Sequence, residues 1–305
     1  MGSQWPGMGT SLMKLPTFAE AIQKCHAALE PKGVDLINIL TNPDPSTFDS
    51  ILNSFVGIAA VQIGLVDVLR ALGITPDGIV GHSVGELGCA YADGCFTAEQ
   101  MILSAHARGR ASIETELVRG KMAAVGMGYD EIKNMIPSSI EVACHNAGDS
   151  CTLSGPDKDV EEFVGQLKAK GVFAKLVNVG NIAYHSRYIR PAAPALLKYL
   201  EEVIPTPKPR SATWISSSLP KSQWDSPVAK NSSAEYHTNN LLSPVLFHEA
   251  AKEIPADAIV IEIAPHGLLQ AILKRSHSSC VNIPLTNKSS KEGLEYLLQS
   301  IGRYE

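Results

Sequence analysis

Residues 78–88 read Gly-Ile-Val-Gly-His-Ser-Val-Gly-Glu-Leu-Gly, and this stretch limits the fold more than any other in the chain. A short apolar run ends at Val80, Ser83 follows between Gly81 and Gly85, and a helix-forming segment continues to about Tyr91. The spacing is Gly-x-Ser-x-Gly at a strand-to-helix turn. Such a turn forces strained dihedrals on the serine and brings the strand close to its helix, where a side chain at Gly81 or Gly85 would collide. It also points the first helical amides at the hydroxyl, with Val84 as the natural first donor to an oxyanion. Ser83 is therefore a candidate nucleophile. The competing reading of the same residues is a glycine-rich bend with a capping serine.

The remaining pattern supplies a frame for that turn. Helical periodicity dominates residues 10–72, with Gly73 as a stop. Thr97 and Gln100 form a capping box that opens a helix to about Leu117. Residues 121–179 read strand, helix, strand, strand, helix, strand, the βαββαβ order of a split βαβ, ferredoxin-like unit. Beyond it, 187–203 is mainly helical around Pro191 and Pro194. The Pro- and Ser-rich segment 205–235 is expected to loop over the surface. Residues 257–275 again read strand, turn, helix. Alternating strands and helices outside the insert predict an α/β fold with a mostly parallel sheet. The expected division is a large subdomain over 1–120 and 187–305, with a ferredoxin-like small subdomain inserted at 121–186.

Composition narrows the function classes. With 305 residues, 45% of them hydrophobic, the chain can bury a large core and a second, smaller one. A net charge of −5 argues against nucleic acid or a membrane surface as partner. Six scattered cysteines without a CxxC pair fit a reducing compartment and predict no metal site. The glycine-rich start lacks a signal-peptide pattern, and no apolar run is expected to reach the ~20 residues that cross a bilayer. The expectation is a cytoplasmic protein.

A serine nucleophile needs a base. Of nine histidines, His82 adjoins Ser83 but projects elsewhere. His185, in Asn-Ile-Ala-Tyr-His-Ser, falls at the seam between insert and core, where clefts form. His266, on another strand–helix turn, is the runner-up. No acid stands near His185 in sequence, and a backbone carbonyl could fix its tautomer instead. On the helix opened by Thr97, Met101, Ala105, Arg108 and Ser112 share one stripe, whereas Arg110 points away. An inward guanidinium needs an anion: a core carboxylate of this chain, or a substrate carboxylate clamped bidentately. The second choice suits a malonyl group.

Together, "GHSVGE" with Ser83, "AHARGR" with Arg108, "AYHS" with His185, "NNLLSPVLF" at 239–247 and "EIAPHGLLQAILKR" at 262–275 resemble the malonyl/acetyl-CoA:acyl-carrier-protein transacylase domain of animal-type fatty acid synthase. The opening "MGSQWPGMG" and "ACHNAGDSCTLSGP" fit too, so the resemblance covers essentially the whole chain. It implies an α/β-hydrolase-like large subdomain with a ferredoxin-like insert. It implies Ser83 as nucleophile, His185 as base, Arg108 as carboxylate binder and a base-orienting carbonyl near Asn240. Oxyanion amides fall on Val84 and Met1, the acyl pocket on Tyr184, and coenzyme A contacts on Asp149, Ser150, Phe173 and Arg275. No bound cofactor is implied. Malonyl-CoA and acetyl-CoA are the expected donors, the phosphopantetheine of an acyl carrier protein domain is the acceptor, and the neighbours are other domains of a fatty acid synthase chain. The sequence starts at the "GMGSQ"-like loop, as a segment of a longer polypeptide would. It has Tyr184 where malonyl-preferring members have Phe, and a β-branched Val84 that narrows the entrance. A polyketide synthase acyltransferase would share this chemistry. A serine thioesterase or esterase and a non-catalytic carrier-docking domain are the rival readings.

Overall fold

The computed structural model describes residues 2–303. Contacts divide the chain into two units that alternate along the sequence, one comprising 1–79, 87–109 and 254–305, the other 80–86 and 110–253. These boundaries fall elsewhere than those expected at 120 and 186. Residues 80–86 and 187–253 group with the small sheet, because the partners of the Ser83 turn lie at 185, 214–217 and 236.

In the first unit, the helix Ile51–Ala71 is apolar on nearly every face because it runs through the core, with Ala59, Val61, Ile63 and Leu65 fully buried. Its 21 residues correct the expectation that no apolar run reaches membrane-spanning length; 78% of its most apolar window is buried inside the fold. The helix Pro16–Leu29 packs close against it at Gly64, where a Cβ would lie 2.4 Å from the Phe18 ring. The long helix stops as expected. Gly73 takes φ +74°, and the amides of Gly73 and Ile74 close onto the carbonyls of Arg70 and Leu69. Two parallel strands, Ile259–Glu262 and Val281–Pro284, pair in register through a crossover that contains the helix Gln270–Ser276.

The second unit takes over strand β1, Ile79–Val80, at its last residue and holds the antiparallel sheet. Its strands are β2 (Gly120–Val125), β3 (Glu141–Ala147), β4 (Ser150–Pro156) and β5 (Ala174–Val177), in the order β3-β4-β2-β5. The helices Tyr129–Ile132 and Asp157–Ala169 complete the βαββαβ order, and Val125, Leu153, Phe163 and Leu167 fill the layer between. Val245 extends the β3 edge in parallel: its amide donates to the Ala143 carbonyl, and its carbonyl accepts from the His145 amide, both at 2.8 Å. The segment 205–235 corrects another expectation. Trp214, Ser216, Ser217 and Ser218 are buried rather than spread on the surface. A run of serines can enter a core when each hydroxyl finds a partner there.

Candidate active site

Ser83 has φ +55° and shares the left-handed region with only Asn181 and His185 among the described non-glycine residues. That conformation costs energy for a side chain and persists where surrounding structure holds it. At the start of the turn, a Cβ on Gly81 would lie 2.6 Å from the Glu86 nitrogen and from the Gly85 carbonyl carbon. Gly85 is different. A Cβ there meets nothing within 4 Å, so the close approach requires glycine at 81 alone. The helix Gly85–Ala92 follows directly. The Gly85 and Glu86 amides donate to the His82 and Ser83 carbonyls at 3.0 and 3.1 Å, which leaves the Val84 amide as the first donor of the turn.

The Ser83 hydroxyl lies 2.7 Å from Nε2 of His185, and Nδ1 of His185 lies 2.9 Å from the Ser243 carbonyl oxygen. A carbonyl can only accept, so Nδ1 carries the ring proton. Nε2 is then the lone-pair nitrogen, and Ser83 donates to it. His185 is itself left-handed, at φ +56°, and its amide donates to the Leu241 carbonyl. The orienting carbonyl is therefore that of Ser243 and not, as expected, one at Asn240. Asn240 lies inside the helix Ala234–Leu242, and its side-chain amide donates to the Ser218 hydroxyl at 2.8 Å. Ser243 is the first residue past that helix. Its ψ of 158° turns its carbonyl out of the helical direction.

His82 is occupied elsewhere. Its Nε2 donates to Asn146 Oδ1 at 2.8 Å, and its ring packs on Phe247. Burial pushes its pKa down to about 4, so it stays neutral and serves as a buried donor. The runner-up, His266, accepts the Lys288 amide at Nδ1 in the first unit.

Thr97 and Gln100 make the reciprocal capping box, both bonds at 3.1 Å, and open the helix Ala98–Glu114. Met101, Ala105 and Arg108 are each 0% exposed on its inner stripe, while Arg110 lies on the surface and pairs with Glu114. The Arg108 guanidinium carbon sits 5.8 Å from the centre of the Phe55 ring. Arg108 belongs to the first unit, Ser83 and His185 to the second. Tyr184 is buried beside His185 in sequence. Asp149 is exposed at the β3–β4 hairpin, and Ser150 opens β4. Phe173 is 63% exposed just before β5, and Arg275 is exposed on the helix Gln270–Ser276. The oxyanion amide expected at Met1 lies outside the described residues.

One residue next to the site carried no sequence-based role. Glu86, three positions after Ser83, is fully buried. Its Oε2 accepts the Tyr236 hydroxyl at 2.6 Å and the Trp214 indole N–H at 3.0 Å, and its Oε1 lies 2.8 Å from both the amide and the hydroxyl of Ser217. The Ser217 hydroxyl also lies 2.6 Å from the Gly81 carbonyl oxygen. The signal was present: an acid on the first turn of a core helix, with a cluster of serines expected on the surface.

The family model for the acyl transferase domain matches residues 1–304. The low-reducing polyketide synthase drtA of Aspergillus calidoustus is 35% identical over 287 residues, covering 88% of this chain and 12% of that protein. The reducing polyketide synthase DEP5 of Alternaria brassicicola is 35% identical over 305 residues, again with 12% of its length covered. The chain thus spans about an eighth of these relatives. A loading acyltransferase from the avermectin modular polyketide synthase superposes with a TM-score of 0.86 at 24% identity, covering 99% of this chain and 96% of that one. A malonyl CoA-acyl carrier protein transacylase from Clostridium perfringens gives 0.81 at 21%, covering 99% and 94%. At these identities the two structures speak for the fold alone.

Proposed function

This chain belongs to the acyl transferase domain family, and from that premise we propose that it moves malonyl and acetyl groups from coenzyme A to the phosphopantetheine thiol of an acyl carrier protein through an acyl ester on Ser83. The observation that carries the reading is the left-handed Ser83 hydroxyl 2.7 Å from an imidazole whose other nitrogen is fixed by a carbonyl.

His185 takes the Ser83 proton as Oγ attacks the thioester carbonyl. Charge gathers on the carbonyl oxygen, where the Val84 amide donates. The C–S bond breaks, the imidazolium returns its proton to the departing coenzyme A sulfur, and the acyl group remains as a serine ester. The carrier thiol repeats the cycle in reverse: it gives its proton to His185, attacks the ester, and Ser83 leaves with that proton. A carbonyl orients the base without adding a negative charge beside it. Arg108 is the proposed clamp for the malonyl carboxylate, and Tyr184 the proposed wall of the acyl pocket. Asp149, Ser150, Phe173 and Arg275 are the proposed coenzyme A contacts. The small sheet unit, together with 80–86 and 187–253, is proposed to work as one half of the enzyme.

The fungal relatives at 35% identity are polyketide synthases, which supports a polyketide setting in a multidomain chain over the animal fatty acid synthase suggested by the motifs. Incubation with malonyl-, methylmalonyl- and acetyl-CoA, followed by intact mass, tests the reading. Acyl adducts that persist until a carrier thiol is added are expected. Continuous coenzyme A release with no adduct would instead mark a thioesterase. Arg108→Ala should lower malonyl loading at least about tenfold and spare acetyl loading. An equal loss of both would make Arg108 a core residue only.

A further inference from the structure

The Glu86 cluster contains more hydrogen bonds than its protons allow if the acid is ionised. The Ser217 hydroxyl has one proton and two acceptors, the Gly81 carbonyl at 2.6 Å and Glu86 Oε1 at 2.8 Å. If it donates to Glu86, two oxygens face each other at 2.6 Å with no proton between them. If it donates to Gly81, the contact with Oε1 needs a proton on Glu86. Both oxygens also accept, Oε2 from Tyr236 and Trp214 and Oε1 from the Ser217 amide, and none of these donors has a proton to spare for the Ser217 hydroxyl contact. We propose that Glu86 is a neutral carboxylic acid whose proton goes to Ser217, and that it positions the Ser83 turn relative to the helix whose end holds His185.

With that proton in place every hydroxyl is used once, in one direction. Ser216 donates to the Tyr236 oxygen, Tyr236 to Glu86 Oε2, Glu86 Oε1–H to Ser217, and Ser217 to the Gly81 carbonyl. One end of this chain is the residue that begins the turn at Ser83. Along it lies Tyr236, in the helix Ala234–Leu242, and Ser243 just past that helix orients His185. The surroundings agree. Glu86 forms no ion pair among the described residues. The charged group facing it is Arg210, whose guanidinium lies over Trp214 and Tyr236 and donates to the Ala229 and Trp214 carbonyls; His237 lies beside Trp214. Burial pushes the Glu86 pKa up and outweighs the hydrogen bonds from Tyr236 and Ser217 and the Arg210 charge, which favour ionisation.

The positioning role rests on the acyl-serine reading above, whereas the protonation state does not. Infrared spectra of the glutamate-labelled protein at neutral pH should contain a protonated carboxyl band that disappears in Glu86→Gln and persists in Glu262→Gln. No band lost in a folded Glu86→Gln overturns the neutral acid. In rapid mixing with acyl-CoA, Glu86→Leu, which keeps neither the donor nor the acceptors, should slow acylation by about 10²-fold with an unchanged half-saturating concentration. A folded variant that acylates at the wild-type rate overturns the positioning role. If Glu86→Leu does not fold, Ser217→Ala removes the same relay, and an unslowed Ser217→Ala overturns it equally. Acylation that survives Ser83→Ala would sink the acyl-serine reading itself and leave the infrared result standing.

Discussion

Two turns in this molecule take a strand into a helix with a buried glutamate at hand, and they use the acid differently. In the first unit, Glu262 ends its strand, and its carboxylate oxygens accept the Leu269 amide at 2.9 Å and the Gln270 side chain at 2.8 Å. It fastens the start of the helix Gln270–Ser276, the helix it leads into. In the second unit, Glu86 sits just past its turn and reaches sideways, to Trp214, Ser217 and Tyr236. Burial raises the pKa of both acids. Only the turn at Ser83 holds a serine in the left-handed region, with an imidazole on its hydroxyl. A strained turn needs support from outside its own strand and helix, and the Glu86 cluster supplies it. A relaxed turn needs only a cap.

The largest effect expected from this contrast is at the strained turn. Ser83→Ala should give no acyl adduct by intact mass, and His185→Ala should slow acylation by about 10²- to 10⁴-fold. Next come the two acids. Glu262→Ala should leave the acylation rate unchanged and lower stability by about 0.5–2 kcal/mol in thermal or denaturant unfolding, as loss of a helix cap does. If it slowed acylation as Glu86→Leu is expected to, the two turns would not differ in kind. The glycines sharpen the comparison further. Gly81→Ala should cost about 1–3 kcal/mol from overpacking against Glu86 and Gly85. Gly85→Ala, which meets open space at the first position of its helix, should be neutral or gain less than about 0.5–1 kcal/mol.

The remaining effects are in the pH dependence. The raised pKa of each acid means the folded state keeps protons that the unfolded chain loses near about pH 4.3, so stability falls as pH rises from there toward the folded value. Either Gln variant should flatten that slope. His82 has the opposite sign. Its pKa of about 4 lies below the unfolded value, so it costs stability as pH drops from about 6.5 to 4. His82→Gln should remove that acid-side loss in unfolding curves.

How much of this was readable beforehand varies residue by residue. The turn at Ser83, the capping box at Thr97, the stop at Gly73 and the inner stripe with Arg108 were legible because each depends on neighbours within one helical turn or on one element's periodicity. The strand and helix order over 121–179 was legible for the same reason. His185 is marked by its place between two sequence patterns, and the sequence points to a carbonyl on its far nitrogen at Asn240, whereas the structure has that of Ser243. Carbonyls carry no side-chain label, and a shift of three residues crosses the end of a helix. The buried serines at 216–218 are not legible, because a polar run looks solvated until its partners, Glu86 and Tyr236, are brought to it.

The amino-acid sequence by itself determined the local chemistry: which serine could occupy a strained turn, which arginine faces inward, and where strands and helices alternate. Tertiary structure alone decided which imidazole meets that serine, which carbonyl fixes its tautomer, and that Glu86 shares hydrogen bonds with residues more than a hundred positions away. The physical reason is range. Turn strain, capping and helical periodicity act over a few residues, whereas hydrogen bonds between buried polar groups form only after the fold has removed water and set the donors in place.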